Sequence, residues 1–166
     1  VAMGLWDLIV RPKVHVVSYP KSGRTWLKGL LGKYLSLKYD LPEGLILRPK
    51  EIFPRSGLPK LFFSHAGTGS GVVSKDPRKE LLFERRRKAY KNVIFLGRDI
   101  KDILVSSYFH QTKRSNRFEG TLSEFIASER FGVFRILDFY DVWLQTRHLT
   151  KSFLFLRYED LHVDPE

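Results

Sequence analysis

Residues 14–19 (VHVVSY) form a run of β-branched and aromatic residues that reads as a buried strand. Pro20 stops it, and the small or cationic residues Lys21, Ser22, Gly23, Arg24 and Thr25 follow. A helical pattern then runs from Trp26 to about Tyr39, with Trp26, Leu27, Leu30, Leu31, Tyr34 and Leu35 on one broad face. Gly29 and Gly32 inside that pattern point to close packing on a sheet, because glycine weakens a helix interior by about 1 kcal/mol relative to alanine. Three more apolar runs predict strands: LFFS at 61–64, NVIFLG at 92–97 and FLFLR at 153–157. Between them the pattern predicts a basic surface helix over 76–91, entered through Pro77. A further helix is expected over about 100–111, and two more at 121–129 and 134–148. Residues 40–60 are rich in proline and read as an irregular connection, and AGTGSG after LFFS reads as a loop.

Strands that are apolar throughout and separated by helices imply an α/β fold of three layers, a central parallel sheet covered on both faces. The length suits a single domain over 1–166. Ligands bind such sheets at the carboxyl ends of the strands. Tyr19 to Thr25, Ser64–His65, Arg98 and Tyr158 all fall at that edge.

Composition narrows the chemistry. No apolar run approaches the roughly 18 residues of a membrane span. The opening VAMGLWDLIV carries Asp7 and lacks a basic start, so no secretory signal is expected. The absence of cysteine excludes disulfides, zinc-thiolate sites and cysteine nucleophiles, and makes a cytoplasmic location the expectation. A net charge of +11 asks for an anionic partner without saying which.

The loop between the first strand and helix says more. Unpaired N–H groups at a helix start form an anion site, Gly23 lets backbone approach a phosphate, and Lys21 adds a charge. Thr25 is placed to cap the helix and donate a hydroxyl hydrogen bond. The order of residues is not GxxxxGK[ST], and no acidic metal-binding strand is evident, so magnesium-nucleotide hydrolysis is not the first expectation. Arg98 closes a strand, with Ser106 two helical turns further on. An arginine grips phosphate through paired charge-assisted bonds, and a hydroxyl completes the cradle. The plain alternative is a surface Arg98 paired with Asp99 or Asp102.

YPKSGRTW (19–26), GRDIKDILVSSYFH (97–110) and FLRYEDLHVDP (155–165) together closely resemble motifs of the sulfotransferases that use 3′-phosphoadenosine 5′-phosphosulfate (PAPS). The resemblance implies a P-loop-like phosphosulfate loop made by Lys21, Ser22, Gly23, Arg24, Thr25 and Trp26. It implies that Arg98 and Ser106 hold the 3′-phosphate, and that Tyr158 lies near the adenine. It also implies that His65 takes the proton of the acceptor hydroxyl, as the other catalytic residue beside Lys21. His15, His110, His148 and His162 are weaker candidates. PAPS would be the donor and adenosine 3′,5′-bisphosphate (PAP) the product, with no metal. The acceptor would be a small alcohol, phenol, lipid-like group, sugar or amine.

Two departures stand out. The family often has a lysine two residues before the histidine, where this chain has Phe63, and Arg24 replaces the first threonine of the usual TT pair. The sequence ends at Glu166 before any RKGxxGDW-like closing segment, so the expectation is either a portion of a longer chain or a reduced domain with an open nucleotide site. The rival expectations are a nucleotide-binding module without catalysis and, further off, a P-loop kinase. GTGSG (67–71) does not match GxGxxG, and a loop beside the acceptor is the better expectation. ERRRKAYK (84–91) reads as a solvated helix face, and nucleic acid is not expected as a partner.

Overall fold

Four strands lie parallel in the order β2-β1-β3-β4: β1 (Lys13–Ser18), β2 (Lys60–Ser64), β3 (Asn92–Gly97) and β4 (Ser152–Arg157). The computed structural model describes residues 13–40, 42, 60–65, 68, 78, 79, 82 and 90–163. Register aligns Val16 of β1 with Phe63 of β2 and Ile94 of β3, and Phe95 of β3 with Phe155 of β4. Alternate residues therefore face opposite sides. Val16, Leu96 and Leu156 meet Leu27 and Leu31 of helix α1 (Arg24–Tyr39) on one face. Val17, Val93, Phe95 and Phe153 meet Phe139, Val142 and Trp143 of another helix on the opposite face. That gives the expected three layers, and it explains why the strands are apolar at nearly every position. Each fully buried side chain such as Val17 or Phe95 contributes about 1.5–3 kcal/mol.

The remaining elements are α2 (Ile100–Phe109), α3 (Leu122–Ala127), α4 (Val133–Gln145) and α5 (Asp160–Val163). Helix α4 supplies Phe139, Val142 and Trp143 to the sheet. Ile103 and Leu104 of α2 pack with Phe125 of α3 and Ile136 of α4 in a neighbouring cluster.

Several boundaries differ from expectation. Helix α1 starts at Arg24 rather than Trp26, because Gly23 at φ 85° turns the chain and accepts from Leu27 N–H (3.1 Å). Thr25 is consequently inside the helix and exposed, and does not cap it. Trp26 and Tyr34, expected on the packed face, are 44% and 57% exposed, and the buried residues are Leu27, Gly32, Leu35 and Ser36. Helix α2 gives way at His110 to a π turn (His110–Arg114), closed by a Ser115 N–H bond to the His110 carbonyl (3.0 Å). Helix α3 begins with a capping box of Thr121 and Glu124, and stops when Ser128 becomes extended. The connection over 40–60, the loop over 66–71 and the basic helix over 76–91 lie largely outside the described residues. Among the described residues no helix is long and apolar enough to cross a membrane.

Candidate functional site

The carboxyl end of β1 runs into a loop with two left-handed residues, Lys21 (φ 71°) and Gly23 (φ 85°). A side chain at Gly23 would collide with the ring of Tyr158, which follows β4 and lies directly on the glycine. The first turn of α1 has neither a side-chain cap nor an acidic residue, so its N–H groups stay available to an anion. Ser22 is buried, and its hydroxyl approaches that of Tyr140 without completing a hydrogen bond.

Arg98 joins this loop to two other motifs. Its Nη1 donates to the Lys21 carbonyl (3.0 Å), and its guanidinium lies over the Tyr158 ring, 4.4 Å from the centroid. Its Nη2 pairs with Asp102 (3.2 Å), so the plain alternative of an Arg98–Asp102 pair exists alongside these contacts. Nε is buried without a partner. The backbone of Arg98 is held by Tyr140, whose hydroxyl accepts from Arg98 N–H (2.8 Å) and donates to its carbonyl (2.9 Å). Asp99 N–H donates to Glu159 (2.7 Å), tying the end of β3 to the residue after Tyr158. A cavity of about 370 Å³ opens beside Arg98, walled by Gly97, Tyr140, Phe155 and Glu159 among others.

Ser106 is half-buried in α2, and its hydroxyl bonds none of the other candidates. Trp26 stacks on His162 (5.1 Å, 8° between planes), whose Nε2 is 2.6 Å from the Tyr158 hydroxyl. Trp26 and Tyr158 are thus bridged by a histidine that ranked low as a candidate.

His65 follows β2. Its Nδ1 lies 2.9 Å from the Ser18 carbonyl, an acceptor, so Nδ1 carries the hydrogen and Nε2 keeps its lone pair. Thr68 fixes the backbone from the other side, with its N–H and hydroxyl both donating to the His65 carbonyl (3.0 and 2.9 Å). Burial holds the imidazole below its usual value; the Ser18 bond opposes this, and Arg24 and Lys28 reinforce it. Burial also lowers Arg24. Lys28 Nζ sits 4.9 Å from the centre of the Phe63 ring. The position where the family often has lysine is therefore an aromatic seat for a lysine from α1. Lys28, one turn after Arg24, brings a second charge to the histidine.

Lys21, Arg98, Gly23 and Tyr158 are brought into one stack, and His65 lies under the field of Arg24. Ser106 and Thr25 join neither. Sequence reasoning missed Lys28 and Tyr140. The i, i+4 spacing of Arg24 and Lys28 was a usable signal, whereas Tyr140 had none. Among the described residues, no three His, Asp or Glu side chains cluster to hold a metal.

Comparison with known proteins finds sulfotransferases. A family model for the sulfotransferase domain matches residues 79–166, just over half of the chain. The chain is 30% identical to cytosolic sulfotransferase 10 of Arabidopsis thaliana over 184 residues, covering 92% of this chain and 52% of that protein. It is 28% identical to flavonol 3-sulfotransferase of Flaveria bidentis, with coverage of 92% and 52%. It is 29% identical to human sulfotransferase 4A1, with coverage of 93% and 56%. The chain spans about half the length of the curated relatives it matches.

Proposed function

The chain belongs to the sulfotransferase family, and from that premise we propose that it binds PAPS at the carboxyl edge of the sheet and sulfurylates a small acceptor. The observation that carries this reading is the stack of Lys21 carbonyl, Arg98 guanidinium, Tyr158 ring and Gly23, in which three separated motifs meet. The residues fit a bisphosphorylated nucleotide. Uncapped N–H groups of α1 and the Lys21 ammonium suit the 5′-phosphosulfate, and the unpartnered Arg98 Nε remains for a further phosphate oxygen. Trp26 and Tyr158 offer aromatic surface to the base.

The donor, when bound, supplies an activated sulfuryl group whose bond to the 5′-phosphate oxygen breaks as the acceptor oxygen bonds to sulfur. His65 Nε2 accepts the proton of the acceptor, with the ring held in the required tautomer by Ser18. Lys21 stabilises the charge gathering on the leaving phosphate. Burial, reinforced by Arg24 and Lys28, keeps His65 neutral until it takes that proton.

Calorimetric titration tests the donor site. Adenosine 3′,5′-bisphosphate should bind at least about tenfold tighter than adenosine 5′-phosphate, and Arg98→Ala should abolish the difference. Equal binding of the two, or tighter binding of magnesium–ATP, would overturn the reading and favour a kinase.

A further inference from the structure

His162 sits on the short helix α5 (Asp160–Val163), one turn after Tyr158, and it is exposed. Its ring nevertheless has a defined seat. The imidazole lies parallel to the Trp26 indole, with 5.1 Å between centroids and 8° between planes. Its Nε2 meets the Tyr158 hydroxyl at 2.6 Å, and the two rings stand edge to face, 4.7 Å apart at 78°. Trp26 belongs to the first turn of α1 and Tyr158 follows β4, so the histidine joins motifs from opposite ends of the chain. Helix α5 has anchors apart from that ring. The His162 N–H donates to the Glu159 carbonyl (3.1 Å), and Leu161 packs against Val16, Leu27 and Leu96. The imidazole can therefore leave its seat by changing rotamer, with the helix still in place.

The seat consists of a flat indole face and a phenol hydroxyl at its edge. On the donor reading, these are the surfaces that Trp26 and Tyr158 offer to the base. Tyr158 also lies against Gly23 and under the Arg98 guanidinium, so the seat is continuous with the phosphate-binding stack. Imidazole is itself a flat heteroaromatic ring with nitrogen at its edge. We infer that His162 is an intramolecular stand-in for the nucleotide base, which must displace it from Trp26 to bind. This inference rests on the donor reading of the carboxyl edge. His162 then helps determine what the site accepts. A ligand gains from the seat only where its ring stacks and hydrogen-bonds better than the imidazole. A purine, with its larger stacking face and several edge nitrogens, meets that requirement. A ligand with both phosphates and no base gains nothing there and leaves His162 where it is.

The test compares adenosine 3′,5′-bisphosphate with methyl riboside 3,5-bisphosphate, which keeps the phosphates and lacks the base. An exposed ring stack and an exposed hydrogen bond are each modest contacts. In calorimetric titration, His162→Ala should therefore tighten adenosine 3′,5′-bisphosphate about tenfold. The methyl riboside bisphosphate should bind both chains equally. His162→Phe returns a ring to the indole and should gain less than His162→Ala. In ring NMR, the His162 signal, assigned from His162→Ala, should move out of the indole ring current with the adenosine ligand and hold still with the methyl riboside. Weaker adenosine 3′,5′-bisphosphate binding by His162→Ala would make the histidine a wall of the base site and overturn the inference. Unchanged affinity, or equal tightening of both ligands, would overturn it too, and all three results leave the donor site standing. If neither bisphosphate binds either chain, the donor reading falls and this inference with it.

Discussion

Lys21 holds a full side chain at φ 71°, a backbone region that costs an L-residue about 1–2 kcal/mol. Nothing in the packing of β1 demands it; the turn aims the Lys21 carbonyl at Arg98. Lys21→Gly should therefore leave thermal stability unchanged or raise it by up to about 1 kcal/mol, while bisphosphate affinity and turnover fall. A loss of stability together with affinity would contradict a strained, functional lysine. His65 gives a second test at this scale. Its folded-state pKa lies below the usual 6.5 through burial, with Arg24 and Lys28 adding to the effect. Transfer should climb as pH rises through a midpoint below 6.5 and be flat by about pH 7, as the ring becomes neutral. The unfolded chain takes up this proton more readily, so the group adds stability above pH 6.5 that is lost as pH falls through the folded-state value. A midpoint above pH 7 in the turnover profile would refute His65 as the base in this setting.

Helix α4 packs on the sheet through Phe139, Val142 and Trp143, yet it also sets the site, because Tyr140 holds both backbone groups of Arg98. Tyr140→Phe leaves that N–H without its acceptor, which should cost about 1–3 kcal/mol. The melting temperature should drop by several degrees and bisphosphate affinity severalfold; a stability loss with unchanged affinity would confine Tyr140 to packing. No pattern in the sequence announces this residue, since its partner lies 42 positions away. The strands were legible because burial on both faces leaves unbroken apolar runs such as NVIFLG. Helix faces were less so. Trp26 and Tyr34 fit the periodicity of α1 but lie outside, whereas Gly32, which pointed to close packing, and Ser36, which the pattern does not mark, are buried. The start of α1 is set by Gly23 in the left-handed region, and the Tyr158 ring that lies against that glycine is a tertiary contact. At the site, the loop and Arg98 carried recognisable spacing, whereas the Lys28–Phe63 exchange could be seen only in three dimensions.

The charge of +11 belongs to the molecule as a whole and acts at a distance. Raising ionic strength from about 0.1 to 1 M shortens the Debye length from about 10 to about 3 Å. Association of adenosine 3′,5′-bisphosphate should slow about tenfold over that range, with little change for adenosine, as stopped-flow binding would show. The bond between Arg98 and the Lys21 carbonyl spans 77 positions, and Tyr158 joins them only once β4 has docked beside β3. Parallel strands cannot zip through hairpins, so each pairing waits on a crossover. The stack therefore exists only when the last strand is in place. A ligand that recognises it acts by mass action on that final step, favouring chains that have completed folding over those that have not.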